Sequence, residues 1–320
     1  MNFKKNNPLL IKSLKIFLPV LILVALTKIL LPNESLETDD SKRSAESNFT
    51  GESEKNIASS EYAESYEAPK ENYKWQLTFE DNFDTFDRSR WQTLFDMGNR
   101  TIWSNKELQW YKDENIISEN GVLKLIAKKE SIYGKDAESE KQFEYTSGMI
   151  NSPQTFSQVY GKWEIRVKFP FKKGYWPAFW LVAKQRPGLP EIDVFEYFGV
   201  KENEITCNHH WGIDWPNYSG GLYEGKTEPF YYLRTKQITG KFSDVWMTWS
   251  FECFPNKMIW KLDGKTVNES TEGIPTAPLY MIANVAIKDR PENDNIVDDS
   301  GSPYIMEIDY IRVYKMVPNN

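Results

Sequence analysis

The sequence predicts an all-β domain, a sandwich of two antiparallel sheets, over residues 75–320. Three observations carry this expectation. The apolar stretches are short, and several alternate with polar residues, as half-buried strands do. Turn dipeptides such as Asn120-Gly121 and Asp263-Gly264 punctuate them. No long amphipathic helical pattern interrupts the series, which is the texture of a sandwich.

The elements follow in order. Trp75-Gln76-Leu77-Thr78-Phe79 alternates and opens the domain. Residues 122–127 form an apolar strand directly after the Asn120-Gly121 turn. Residues 161–169 alternate cleanly, which places Trp163, Ile165, Val167 and Phe169 on one face. Residues 246–252 and 258–262 are further strands, the second ending at Asp263-Gly264. Residues 305–314 close the domain, and no internal repeat is visible.

Ahead of the domain the texture differs. Lys4, Lys5, Lys12 and Lys15 precede an apolar run from Ile16 to Leu26, interrupted by Thr27-Lys28 and resumed at Ile29-Leu30-Leu31. Residues 1–32 are therefore expected to be a signal peptide or a signal anchor. The positive-inside rule puts residues 1–15 in the cytoplasm and the rest outside, secreted or held at the membrane. If uncleaved, the segment makes the membrane a partner. Residues 33–74 carry eleven acids and five bases, many Ser and no periodicity, and are expected to be a disordered acidic linker.

Composition narrows the function classes. The net charge of −7 argues against a nucleic-acid partner, whose phosphates would be repelled. Two cysteines, Cys207 and Cys253, make no disulfide framework and are expected as buried thiols. Two adjacent histidines, His209 and His210, make a His-rich metal site improbable.

The chemistry concentrates in Glu191-Ile192-Asp193-Val194-Phe195-Glu196. Ile, Val and Phe favour a strand. Alternation puts Glu191 and Asp193 on one face and turns Glu196 to the other. A β-bulge at Val194-Phe195 would restore parity, and bulges re-aim side chains beside active sites. The two Glu Cα atoms would then be about 13 Å apart, close enough for their long side chains to lean together. A retaining glycosidase needs carboxyl groups about 5–5.5 Å apart. On these six residues alone, a solvated strand edge or a divalent-cation site remains an alternative. Trp176-Pro177-Ala178-Phe179-Trp180-Leu181, just upstream, supplies aromatic faces on which sugar rings can stack.

Together these stretches resemble glycoside hydrolase family 16, and most its bacterial laminarinase-type members. Further motifs fall in the same order. Residues 79–84 with Trp91 resemble the family's opening, and residues 105–111 are similar to the N-x-E-x-Q-x-Y element of laminarinases. Tyr145-Thr146-Ser147-Gly148, Tyr160-Gly161 and the closing residues 308–314 also match, so the resemblance covers roughly residues 76–315. It implies a concanavalin-type β-jelly roll whose concave sheet forms a substrate cleft, and a β-linked polysaccharide as partner.

The resemblance also implies roles. Glu191 would be the nucleophile and Glu196 the acid/base; Asp193, between them, would hydrogen-bond the nucleophile and help set the two protonation states, with a structural carboxylate that holds the bulge as the alternative. Trp176 and Trp180, four apart on a strand, would stack sugars, although core packing is the alternative for either. Trp103 and Asn105 would bind sugar on the non-reducing side. His210 would contact substrate or Glu196, with His209 as the one-residue alternative. Catalysis needs no cofactor. A structural calcium would draw on Glu80, the Gly121 carbonyl and Asp309. Residues 185–190 depart from the tryptophan-rich loop of many relatives, so galactan-cleaving branches remain alternatives to β-1,3-glucan, as do a transglycosylase and a non-enzymatic sugar-binding protein.

Overall fold

The computed structural model describes residues 72–319, apart from 96–97, 136–138, 185–189, 213–230, 294 and 302. The expected anchor and all but the end of the linker lie outside the described residues, as does most of the departing loop at 185–190. Among the described residues no helix is long and apolar enough to cross a membrane. The first described strand begins at Tyr73, two residues before the expected start of the domain at 75. Tyr73 and Lys74 pair with Pro318 and Val317, and the Tyr73 ring packs against Trp75 and Phe254 at 5.2 and 5.8 Å.

The described chain is built of strands joined by turns and three short 3-10 turns. In order these are β1 (Tyr73–Asp81), β2 (Gln109–Tyr111), β3 (Ile116–Glu119), β4 (Val122–Lys135), β5 (Glu140–Ser147) and β6 (Met149–Asn151). Then come β7 (Gly161–Lys168), β8 (Tyr175–Ala183), β9 (Glu191–Glu196), β10 (Glu204–Gly212) and β11 (Tyr231–Thr239). The last are β12 (Met247–Phe254), β13 (Lys257–Leu262), β14 (Lys265–Ser270), β15 (Leu279–Ile287) and β16 (Tyr304–Pro318).

They form two sheets, as the sequence predicts. One has ten strands, ordered β14-β13-β12-β7-β16-β4-β5-β2, with β1 on β16 and β3 on β4. The other has six, ordered β11-β10-β9-β8-β15-β6. The Asn120-Gly121 and Asp263-Gly264 turns have positive φ at both residues, 56° and 71° in the first and 48° and 77° in the second. That is the two-residue hairpin geometry whose twist matches its strands.

The core lies between the sheets. Trp163, Ile165, Val167 and Phe169 are fully buried, as their alternation predicts. Phe195 reaches across from β9 to Phe169 at 5.6 Å and Trp249 at 5.7 Å. The Trp260 indole donates to the Asp193 carbonyl at 3.1 Å, so the larger sheet hydrogen-bonds the strand that carries the acidic motif. Cys207 and Cys253 are buried, free thiols.

The expected bulge is present. Against β8, Phe195 faces Phe179 while Asp193 faces Trp180. Against β10, Glu196 faces Thr206 while Asp193 faces Asn208. β9 thus carries one extra residue relative to both neighbours between Asp193 and Glu196. Val194 and Phe195 both go into the core, and Glu196 returns to the face of Asp193.

Replacing Trp260 by Phe removes a buried donor from the Asp193 carbonyl while keeping most of the apolar volume. Urea unfolding of Trp260→Phe is expected to show a loss of about 1–3 kcal/mol.

Candidate active site

The six-stranded sheet presents a cleft lined by Glu191, Asp193 and Glu196 from β9, Trp176, Ala178 and Trp180 from β8, and His210 from β10. Asn284 and Ala286 of β15 and the segment Ile102, Asn105, Glu107 complete it. One register shift therefore gathers all three carboxylates of the motif.

The carboxylates have different surroundings. His210 Nε2 lies 3.1 Å from Asp193 Oδ2 and 3.7 Å from Glu191 Oε1. One ligand-type atom from each of Glu191, Asp193 and His210 falls within 4.8 Å of the others. Such a trio could hold a cation, but it could equally orient a reacting carboxylate. Glu196 is buried and accepts from Asn208 Nδ2. Asn208 Oδ1 accepts from the Thr235 hydroxyl at 2.7 Å, which fixes the amide. The His210 ring thus meets Asp193 and Glu191, and Asn208 holds Glu196. Parity explains this, because Asn208 and His210 are two apart on β10 and share a face. His209 turns away, bonding the Gly273 carbonyl at 3.0 Å and stacking on Trp211 at 4.3 Å.

The aromatic wall is divided. Trp180 is mostly buried among Ile102, Tyr111 and Met149, and its indole donates to Asn284 Oδ1 at 2.8 Å. Asn284 in turn donates to the Tyr111 hydroxyl at 2.8 Å. Trp176 is more exposed and packs on Phe198 at 4.9 Å. Trp180 therefore forms floor, and Trp176 offers the freer ring. Trp103 stands in the 3-10 turn Trp103–Asn105 but is not among the cleft-lining residues, whereas Asn105 is.

Asn105, Glu107 and Gln109 form a buried chain. Asn105 Nδ2 donates to Glu107 Oε1 at 3.0 Å, and Gln109 Nε2 donates to Glu107 Oε2 at 2.6 Å. Burial pushes the Glu107 carboxyl up to about 7, against the pull of these hydrogen bonds. The N-x-E-x-Q-x-Y element by itself assigns Glu107 no role; the period-2 spacing of Asn105, Glu107 and Gln109 is its signal in the sequence. Asn284 had a signal too, a lone amide in the apolar run of β15.

The calcium donors do not fit a hard cation as they stand. Glu80 accepts from Arg312 Nε at 2.7 Å, and Asp309 pairs with Arg166. Gly121 has φ +71°, and a Cβ there would approach Asp84 Oδ1 at 3.7 Å. Calcium takes six to eight oxygens, and here both carboxylates are already neutralised by guanidinium groups.

Glu107 gives a pH signature. Its folded carboxyl lies above its ordinary 4.5, so the native state holds a proton that the unfolded chain has released. Stability contributed by the neutral form is present below about 4.5 and lost as pH rises toward 7, by at most roughly 3 kcal/mol. Glu107→Gln is expected to flatten this part of the Tm–pH curve, read by calorimetry between pH 4.5 and 8.

Comparison with known proteins gives consistent results. The profile of Glycosyl hydrolases family 16 matches residues 102–296. A second, Beta-glucan synthesis-associated protein SKN1/KRE6/Sbg1, matches residues 10–193. The chain is 29% identical over 274 residues to glucan endo-1,3-beta-glucosidase A1 of Niallia circulans, covering 76% of this chain and 38% of that protein. It is 27% identical over 269 residues to the beta-glucanase of Rhodothermus marinus, covering 76% of this chain and 86% of that one. The laminarinase catalytic domain from Thermotoga maritima MSB8 superposes with a TM-score of 0.61 at 29% identity, over 77% of this chain and 99% of that structure. The chain spans 34–45% of the length of four of the curated relatives it matches. With the fold, the bulged acidic strand and the aromatic wall in place, the chain belongs to glycosyl hydrolases family 16.

Proposed function

We propose that this chain is a retaining, endo-acting glycoside hydrolase of a β-linked polysaccharide, with β-1,3-glucan as first substrate. The observation that carries the reading is the extra residue in β9, which brings Glu191, Asp193 and Glu196 into one aromatic-walled cleft. The names of its relatives, endo-1,3-β-glucosidase, β-glucanase and laminarinase, support the substrate.

Glu191 is the nucleophile and Glu196 the acid/base. Protonated Glu196 gives its proton to the glycosidic oxygen as the bond to the anomeric carbon breaks. The Glu191 carboxylate takes that carbon, forming a glycosyl-enzyme. Glu196, now a carboxylate, removes a proton from water, whose oxygen attacks the same carbon and releases Glu191. Asp193 and His210 hold the nucleophile's orientation, and Asn208 holds the acid/base. Trp176 is the sugar platform. Asn105 and Glu107 face the sugar from the opposite wall.

A second reading, transglycosylation by the same residues with a sugar as acceptor, is favoured by the β-glucan-synthesis profile over residues 10–193.

The test uses the full-length chain on laminarin, mixed-linkage glucan, agar, porphyran and carrageenan, reading released reducing ends. Laminarin is expected to be cut, and Glu196→Gln to slow turnover about 10²–10⁴-fold. Turnover that survives Glu191→Gln removes the nucleophile assignment. Longer products on adding an oligosaccharide acceptor would decide for transglycosylation.

A further inference from the structure

Arg290 follows β15 and is 8% exposed. Its guanidinium lies over the Trp176 ring at 4.5 Å and the Phe198 ring at 4.6 Å. Those two rings touch each other, Trp176 lines the cleft, and Phe198 stands two residues after Glu196. The backbone of Arg290 is pinned by a bridge to Asn295. Its Nη1 is buried with no hydrogen-bond partner. A buried cation whose donor is unspent is costly to keep, and cation–π contact offsets only part of the cost.

What balances it is the negative charge around it. Burial pulls the Arg290 guanidinium down to about 10, and the carboxylates of Glu196, Glu292 and Glu107 act in the opposite sense. Titratable and charged groups near Glu196 include Glu191 and Asp193 on β9, His210 and Cys207 on β10, Glu107 across the cleft, and Arg290. Among these described residues Arg290 is the permanent cation. Lys288 acts on Glu107.

We propose that Arg290 is a positioning residue for the acid/base: packed against Trp176 and Phe198, it is the fixed positive charge near the Glu196 carboxylate once its proton has passed to the leaving oxygen. This rests on the assignment of Glu196 as acid/base. The cation stabilises the carboxylate that must then act as base on water, and it sets the pH above which the acid form is lost. The same packing covers one face of the Trp176 ring, so one side chain couples the sugar platform to the proton donor.

The experiment is the pH profile of kcat/KM on laminarin for the full-length chain and for Arg290→Met, Arg290→Gln and Arg290→Lys, with near-ultraviolet dichroism to check each fold. Removing the cation disfavours the carboxylate, so the acid form persists further. The basic limb is expected to move up by about one pH unit in both neutral variants and to stay in place in Arg290→Lys. Unmoved basic limbs in folded Met and Gln variants would overturn the proposal, even if activity fell. Collapse of both neutral variants with Arg290→Lys intact would also overturn it, assigning the cation to the fold. Wild-type turnover and limb position in Glu196→Gln would show instead that the acid/base assignment had failed.

Discussion

The site depends on a parity constraint. A strand sends successive side chains to opposite faces, so residues three apart cannot share a cleft without an irregularity. β9 resolves this with one extra residue, and its neighbours hold it in place. The Trp260 indole takes the Asp193 carbonyl, the Cys207 thiol donates to the Val194 carbonyl at 3.2 Å, and Asn208 takes the Glu196 carboxylate. Two of these partners come from β10 and one from the opposite sheet. The bulge is thus held from beside and from beneath, by residues far apart in the chain.

A second constraint is charge. Asp193 and Glu196 are buried, and Glu107 is buried across the cleft. Carboxylates taken out of water need donors or cations nearby. The chain meets this unevenly. Amides serve Glu196 and Glu107, an imidazole serves Asp193, and Arg290 supplies a positive charge from its place over the Trp176 ring. Neutral amides fix geometry and lower the proton affinity of the carboxylate they serve, but they leave the net charge of the site unchanged.

How much of this could be read from sequence follows from how local each signal is. The strands, the Asn120-Gly121 and Asp263-Gly264 turns, and the bulge all have short-range signatures, a period of two or a dipeptide. The cleft carboxylates were legible because three acids sat in six residues. The division of labour between Trp176 and Trp180 was not, since both alternate onto one face and only Asn284 and Ile102, distant in sequence, decide which is floor. Asn208 could have been found from its parity with His210. Arg290 had no local signature at all; it sits in a charged stretch of a kind that is usually solvated, and only the fold brings Trp176 and Phe198 to it.

The pairing of β1 with β16 sets Tyr73 beside Pro318. The first described strand is therefore paired with the last described one. β7, β4 and β1 all wait on β16, which lies between or beside them in the larger sheet. Closing such long loops before any contact rewards them makes folding slow. During synthesis the growing chain carries the unpaired edges of β1, β4 and β7 until β16 emerges, so the sheet beneath the cleft is completed in one step, and the interval before it is when the chain is most exposed to misassembly.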